Sequence, residues 1–341
     1  MKFGNIKFGI YVMIQSPLNT NVYQKFQESL EYVRIADKYG FDAVFCGQHY
    51  LTYPYTMLQL IPFLSRIMAE SKRLYFGTGI LLLALYNPVD VAETIASMDI
   101  ISGGRLIFGV GLGYREEEYD AFGISKEDAP KRFNECLAAV KMLWTQDIVN
   151  FEGKYFKLKN VRLTIKPLQK PYPPIWIAAN SDKAIEKVAK LGHVWYANPH
   201  VTINTLKRQM EIYLNILKKN NHPEPSFKPV LRELFVSENF EEAYRMAEPI
   251  LENKYKVYHQ WGQDKVVPPE EHFDREFAEL AQERFIIGSP DQCIEQLSKL
   301  INIGFNFLIF RIYWPHSKHE DVLNTLKLVG EKVIPYFNDF N

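Results

Sequence analysis

Three short stretches carry the side chains with which this sequence could do chemistry. Gln48-His49-Tyr50 places an imidazole just after the apolar run Ala43 to Cys46. An ordinary imidazole titrates near neutrality, so His49 can take up or release a proton at physiological pH. Gly109-Val110-Gly111-Leu112-Gly113 follows a second apolar run and leads into Tyr114, Arg115 and three glutamates. Glycines at alternate positions let a ligand approach the backbone closely, and they equally suit a crowded strand end without a ligand. Ala179-Asn180-Ser181-Asp182 opens a helical pattern. Amides at a helix start, aided by the helix dipole, form a natural phosphate site, although a plain N-cap uses the same residues.

Other chemistries find less support. The sixth position of a G-x-G-x-x-G beginning at Gly109 is Tyr114, and no glycine-rich turn follows the first strand, so the run is not a dinucleotide fingerprint. No G-x-S-x-G elbow is present. His316 and His319 have only Glu320 and Asp321 beside them, which reads as a solvated loop, and no metal site is assigned.

Positioning these groups requires strands that end on one side. The stretch from Arg73 to Glu118 reads as strand, helix, strand: two apolar runs flank a helix-period segment that starts at Pro88 and stops at Gly103-Gly104. The first run is almost wholly apolar, as suits a parallel strand buried on both faces. The same alternation continues through the chain. Strands are predicted at Ile6 to Ile14, Asp42 to Cys46, Leu74 to Leu85, Leu106 to Val110, Ile175 to Ala179, Val194 to Ala197, Val230 to Val236 and Phe305 to Ile312. Eight strands alternating with helices make a (β/α)8 TIM barrel the economical architecture, with residues 1–341 as one domain and a doubly wound sheet as the fallback.

Two insertions are expected. One is a hairpin within Phe151 to Ile165, after the fourth helix. The other, Trp261 to Arg284 after the seventh helix, is long for a connection and carries Pro268, Pro269 and many charges. It reads either as a lid or as a surface insertion helical over Glu270 to Gln282. Pro62 must start a turn or kink the helix that contains it. Reactive groups in such a barrel belong at the C-terminal strand ends, where His49, Gly111 to Arg115 and Asn180-Ser181 fall.

The run GTGILLLALYNPVDVAETIASMDIISGGRLIFGVGLGYREEEYDAFG, together with ADKYGFDAVFCGQHY, PPIWIAANSDKAIEKVAKLG and IIGSPDQCIEQLSKLINIGF, resembles the bacterial luciferase-like monooxygenase family. Those are flavin enzymes on a (β/α)8 barrel, and the pieces span almost the whole chain. The resemblance implies reduced FMN delivered by a separate flavin reductase, oxygen as co-substrate, a homodimer, and a small apolar substrate of aldehyde, ketone, terpene or hydrocarbon type. It makes His49 catalytic, at the first histidine of the family's Glu-His-His stretch, which here reads Gln48-His49-Tyr50. It places a non-proline cis peptide at Gly79-Ile80 beside the isoalloxazine. The FMN phosphate falls to Asn180 and Ser181, with help from Gly111, Gly113 or Arg115; this chain has Leu112 where the light-emitting member has an arginine. A deazaflavin-dependent oxidoreductase and a flavin-binding protein without turnover are the alternatives.

Composition agrees with a folded domain. Hydrophobic residues make up 47% and charged ones 23%, which provides a sizeable core. Forty Lys plus Arg balance forty Asp plus Glu without a basic cluster, arguing against nucleic acid. Cys46, Cys136 and Cys293 are odd in number and far apart, as expected for reduced thiols in the cytoplasm. The longest apolar run, Ile80 to Tyr86, falls far short of the ~20 residues of a membrane span. The aromatics Tyr11, Tyr50, Tyr53, Tyr86, Trp195, Tyr196 and Trp314, near predicted strand ends, suggest an apolar substrate.

Overall fold

A computed structural model describes residues 6–13 and 15–338. Ile14, at the end of the first expected strand, lies outside the described residues. The chain begins with β1 (Lys7–Tyr11), β2 (Gln15–Pro17), α1 (Val22–Lys38), β3 (Ala43–Cys46), β4 (Tyr55–Met57) and α2 (Leu60–Ile67). There follow β5 (Tyr75–Thr78), β6 (Leu81–Leu82), α3 (Pro88–Ile101), β7 (Leu106–Gly111), α4 (Glu116–Ala121) and α5 (Ala129–Thr145). The hairpin β8 (Val149–Glu152) and β9 (Lys157–Val161) precedes β10 (Ile175–Ala178), α6 (Asp182–Lys190), β11 (Val194–Tyr196) and α7 (Ile203–Lys219). The last third holds β12 (Pro229–Val236), α8 (Phe240–Gln260), α9 (Phe277–Ala281), β13 (Ile286–Gly288), α10 (Pro290–Ile303), β14 (Phe307–Arg311), α11 (His319–Leu328) and α12 (Ile334–Asn338).

The main sheet is parallel and curled, in the order β11-β10-β7-β5-β3-β1-β14-β12-β13, with β6 paired to β7. Beyond β11 the Ala197 amide donates to the Pro229 carbonyl and the Leu231 amide to the Ala197 carbonyl, both at 3.0 Å, tying this end of the sheet to β12. Every residue of β7 and β12 is buried; β7 reads as a continuous apolar run, whereas β12 carries Arg232 and Glu233 into the interior within one. The concave side is filled below the strand ends: Phe45 stacks on Trp176 at 5.3 Å and meets Phe307 edge-on at 6.0 Å. Helices cover the convex side.

Local signals start the helices. Asn87 caps α3 ahead of Pro88, Ser181 caps α6, and Ser289 with Gln292 forms a complete capping box on α10. Pro62 falls within the first turn of α2, where a missing amide hydrogen leaves no bond unmade; it starts the helix rather than kinking it. The expected hairpin is present as β8 and β9.

The 261–284 segment is not one helix over Glu270 to Gln282. It comprises two single 3-10 turns, Gln263–Val266 and Pro269–Glu271, followed by the five-residue α9. Its charges do not keep it off the core, because Phe273, Phe277 and Leu280 turn inward on Phe235 and Tyr255 in a second apolar cluster. The antiparallel β2–β4 pair and β13 have no counterpart in the sequence prediction. A π turn at Val329–Val333 joins α11 to α12.

Candidate active site

A cavity of about 280 Å³ opens at the C-terminal ends of the strands. Its wall includes His49 after β3, Gly79 and Ile80 after β5, Gly111 and Gly113 from β7, and Asn180 and Ser181 before α6. Residues far apart in sequence meet here because parallel strands all end on one face.

His49 is oriented by a carboxylate from another element. Its Nδ1 lies 3.1 Å from Oε1 of Glu118 on α4, and the same oxygen accepts the Tyr50 amide at 2.8 Å. With the Glu118 oxygen accepting, Nδ1 is the ring nitrogen that donates, and Nε2 is left without a protein partner fixed by this contact. Tyr114 meets the imidazole edge-on at 5.6 Å and Trp261 lies 5.7 Å away. Gln48 serves the backbone instead: its Oε1 accepts the Leu82 amide at 3.0 Å and its Nε2 donates to Tyr50 and Tyr86.

The Gly79-Ile80 peptide is cis, as the resemblance implied, and the Tyr11 hydroxyl donates to the Gly79 carbonyl at 2.7 Å. The glycines of β7 are crowded by the protein itself. A Cβ on Gly109 would stand 1.9 Å from the Thr78 carbonyl oxygen, and one on Gly111 would stand 2.4 Å from Ile80 Cδ1. Gly113, at φ +83°, turns the chain where few side chains could. At the start of α6, Ser181 Oγ accepts the Ala184 amide at 3.4 Å, while Arg208 and Gln209 hold the Asp182 carboxylate.

Across the cavity, β12 and β14 bring a buried ionic cluster. Glu233 accepts from Lys254, from Arg311 at 3.3 Å and from the Trp314 indole at 2.6 Å. Burial drives the Glu233 pKa up, but Arg311 and Lys254 outweigh it and hold the carboxyl below its usual value. Burial and Arg311 push Lys254 down to about 7 against the pull of Glu233. His200 is pushed well below its usual value by burial and then by Lys254, Arg311, Arg284 and Arg232, so it is neutral.

The pattern of the luciferase-like monooxygenases matches residues 6–306. The chain belongs to that family. The oxygenase component of a flavin-dependent trigonelline monooxygenase from Acinetobacter baylyi is 25% identical over 335 residues, covering 93% of this chain and 91% of that one. An F420-dependent glucose-6-phosphate dehydrogenase from Microbacterium testaceum is 24% identical, covering 90% and 92%. A relative from Sinorhizobium fredii is 29% identical over 167 residues, which span 49% of this chain and only 48% of its own length. In fold, the oxygenating constituent of 3,6-diketocamphane monooxygenase from Pseudomonas putida, in complex with FMN, superposes with a TM-score of 0.83 at 18% identity, covering 97% and 98%.

Most of the luciferase-like site residues expected from sequence converge on the cavity: His49, Gly79, Ile80, Gly111, Gly113, Asn180 and Ser181 all line it. Arg115 does not. Its guanidinium is turned away from the Asn180-Ser181 end, donating to the carbonyls of Tyr50 and Leu51 and to Glu117 and covering the Trp261 ring at 4.2 Å. The aromatic mouth also needs correction, because of the seven residues named only Tyr11 and Tyr196 line the cavity. Trp195 points outward to the Ala179 carbonyl, Trp314 packs on Phe235, and the Tyr50 and Tyr86 hydroxyls bond each other. Sequence reasoning missed Glu118 and the ionic cluster. The three consecutive glutamates after Arg115 were a signal for the former, and Arg232-Glu233 within an apolar strand was one for the latter. Among the described residues, His259, Asp264 and Asp274 could group around a metal, but Asp264 Oδ2 already accepts from His259 and from the Phe273 amide. His319 is bonded to Tyr32 and Glu31.

Proposed function

We propose that the chain is a single (β/α)8 domain acting as the oxygenase of a two-component flavin monooxygenase, using reduced FMN and oxygen on a small organic substrate. The observation that carries this reading is the convergence in one cavity of a carboxylate-oriented imidazole and a glycine-lined wall that leads to the start of α6. The donor set fits FMN. The amides at Asn180 and Ser181 suit a phosphate, and the apolar side chains of Ile80 and Leu82, packed against Gly111 and Gly113, suit the ring system. Reduced FMN supplies the electrons that make oxygen reactive. His49 holds or moves a proton at Nε2, Glu118 fixes its tautomer, and the enclosed apolar wall excludes water.

A flavin reductase as electron donor, a cytoplasmic location and a homodimer complete the reading on the strength of the family resemblance. Among the described residues no helix is long and apolar enough to cross a membrane. A relative that uses F420, a deazaflavin, matches at nearly the same identity as the flavin-dependent monooxygenase, which favours hydride transfer as the second reading. Anaerobic titration with reduced FMN and reduced F420, followed by admission of oxygen and substrate candidates, separates the two. Tight FMN binding with oxygen-dependent product formation supports the monooxygenase. Preferential F420 binding with product formed in the absence of oxygen replaces it with the second reading.

A further inference from the structure

We infer that the substrate carries a carboxylate and that Tyr196, Asn198 and Arg311 receive it. The inference rests on the reading of this cavity as the substrate site of a flavin enzyme, and it replaces the apolar substrate that the sequence suggested.

Four polar atoms of residues in the cavity wall are buried and unpartnered: the Tyr114 hydroxyl, on the His49 side, and three at the ends of β11 and β14, the Tyr196 hydroxyl, Asn198 Nδ2 and Arg311 Nε. The residues of those three are 4%, 8% and 5% exposed. Buried polar atoms are almost always paired, and three together in one wall mark a place where a ligand provides the partner. All three can donate. The Asn198 amide orientation is fixed because its Oδ1 accepts the His200 amide at 2.8 Å, leaving Nδ2 free. Guanidinium has no acceptor at all. The missing partner is therefore an acceptor.

Charge makes it an anion. Glu233 is shared between Arg311 and Lys254, so Arg311 has no carboxylate to itself. Arg232 and Arg284, also buried, donate to the backbone carbonyls of Val201 and Glu271 rather than to carboxylates. The other buried carboxylates of this region are committed: Glu271 accepts from Thr202 and Thr205, and Asp264 from His259 and the Phe273 amide. His200 adds no charge. A planar carboxylate can accept from a guanidinium and from neutral donors together, which suits this set.

Arg311 ends β14, which lies beyond β12 from β11, whereas Tyr196 pairs with Ala178 beside the strand that leads to Asn180 and Ser181, so the group extends from the phosphate end across β12. Tyr258 from α8 and Gln263 from the 261–284 segment line the cavity as well, so that segment helps enclose any bound group.

The test is calorimetric titration of the FMN-loaded protein with benzoate and with its neutral analogue benzamide, repeated on Asn198→Asp and Tyr196→Phe. Asn198→Asp keeps the acceptor for the His200 amide but puts an anionic oxygen in place of the free donor. Tyr196→Phe removes an atom that has no partner and so leaves the fold intact. We expect benzoate to bind roughly tenfold tighter than benzamide, and each variant to erode that preference by roughly threefold to tenfold with FMN affinity unchanged. Equal binding of the two probes, no saturable benzoate binding, or variants that weaken FMN while sparing benzoate would each overturn the inference; the last outcome would assign the donors to the cofactor. Failure of the flavin reading has a different signature, in which FMN does not bind while the free protein still prefers benzoate.

Discussion

Replacing Glu233 by glutamine is the sharpest test of the buried cluster behind the cavity. The variant keeps shape and acceptor capacity toward Trp314 but removes the charge shared by Lys254 and Arg311, both of which are less than a tenth exposed. Breaking a buried ion pair from one side costs about 3–5 kcal/mol because the partner is left uncompensated. An unfolding entropy of about 2.1 cal/mol/K per residue gives roughly 0.7 kcal/mol/K for 341 residues, so Tm should fall by roughly 4–7 °C. The loss also depends on pH. Lys254, at about 7 in the folded state, lies below its usual value, so stability rises with pH from about 7 toward the unfolded value near 10.5. Without Glu233 its folded pKa drops further. Above about pH 8 the lysine is neutral in both folded proteins and the penalty is Arg311's alone; below about pH 7 only the wild type holds a paired ammonium, and the penalty grows. Differential scanning calorimetry at about pH 6 and about pH 8.5 should therefore show the larger Tm drop at the lower pH. A drop below about 1 °C at both values, or the larger drop at the higher one, would falsify this account of the cluster.

Three further outcomes are expected. His49→Ala should slow oxygen-dependent turnover by about a hundredfold with FMN affinity within about twofold, and Glu118→Gln by about tenfold, since a neutral acceptor replaces a charged one; unchanged turnover in both would remove the proton role. Gly109→Ala places a methyl against the Thr78 carbonyl and should lower stability by about 3 kcal/mol in urea unfolding, whereas a wild-type midpoint would show that the strands can part. Trypsin has exposed sites at Lys265 and Arg275, and filling the cavity, which Gln263 and Val266 line, should slow cutting there; equal rates with and without FMN and substrate would show that the segment is not a lid.

The central strands were legible because burial on both faces writes them as uninterrupted apolar runs, and Asn87-Pro88, Ser181 and Ser289-Pro290 announced the helices that follow. Elements of two or three residues, such as β2, β4 and β13, fall below the length at which periodicity means anything. In the 261–284 segment Phe273 and Phe277 were legible as an apolar side, but nothing in the sequence shows that this side, with Leu280, packs on Phe235 and Tyr255. In the site, His49 was visible as a lone imidazole at a strand end, but its partner was not. Glu116, Glu117 and Glu118 are chemically identical, and only the rotation of α4 sends the third of them, 69 residues from His49, into the interior.

Arg115 gives the molecule a mechanical linkage. Its guanidinium grips the carbonyls just after His49 and lies flat on Trp261, the first residue of the 261–284 segment, and that indole also flanks the imidazole. Lifting Trp261 would uncover the arginine and remove one wall from the histidine in the same movement. His49 and the start of the 261–284 segment thus share a fulcrum, so displacing Trp261 would leave the imidazole unsupported and a seated Trp261 braces it.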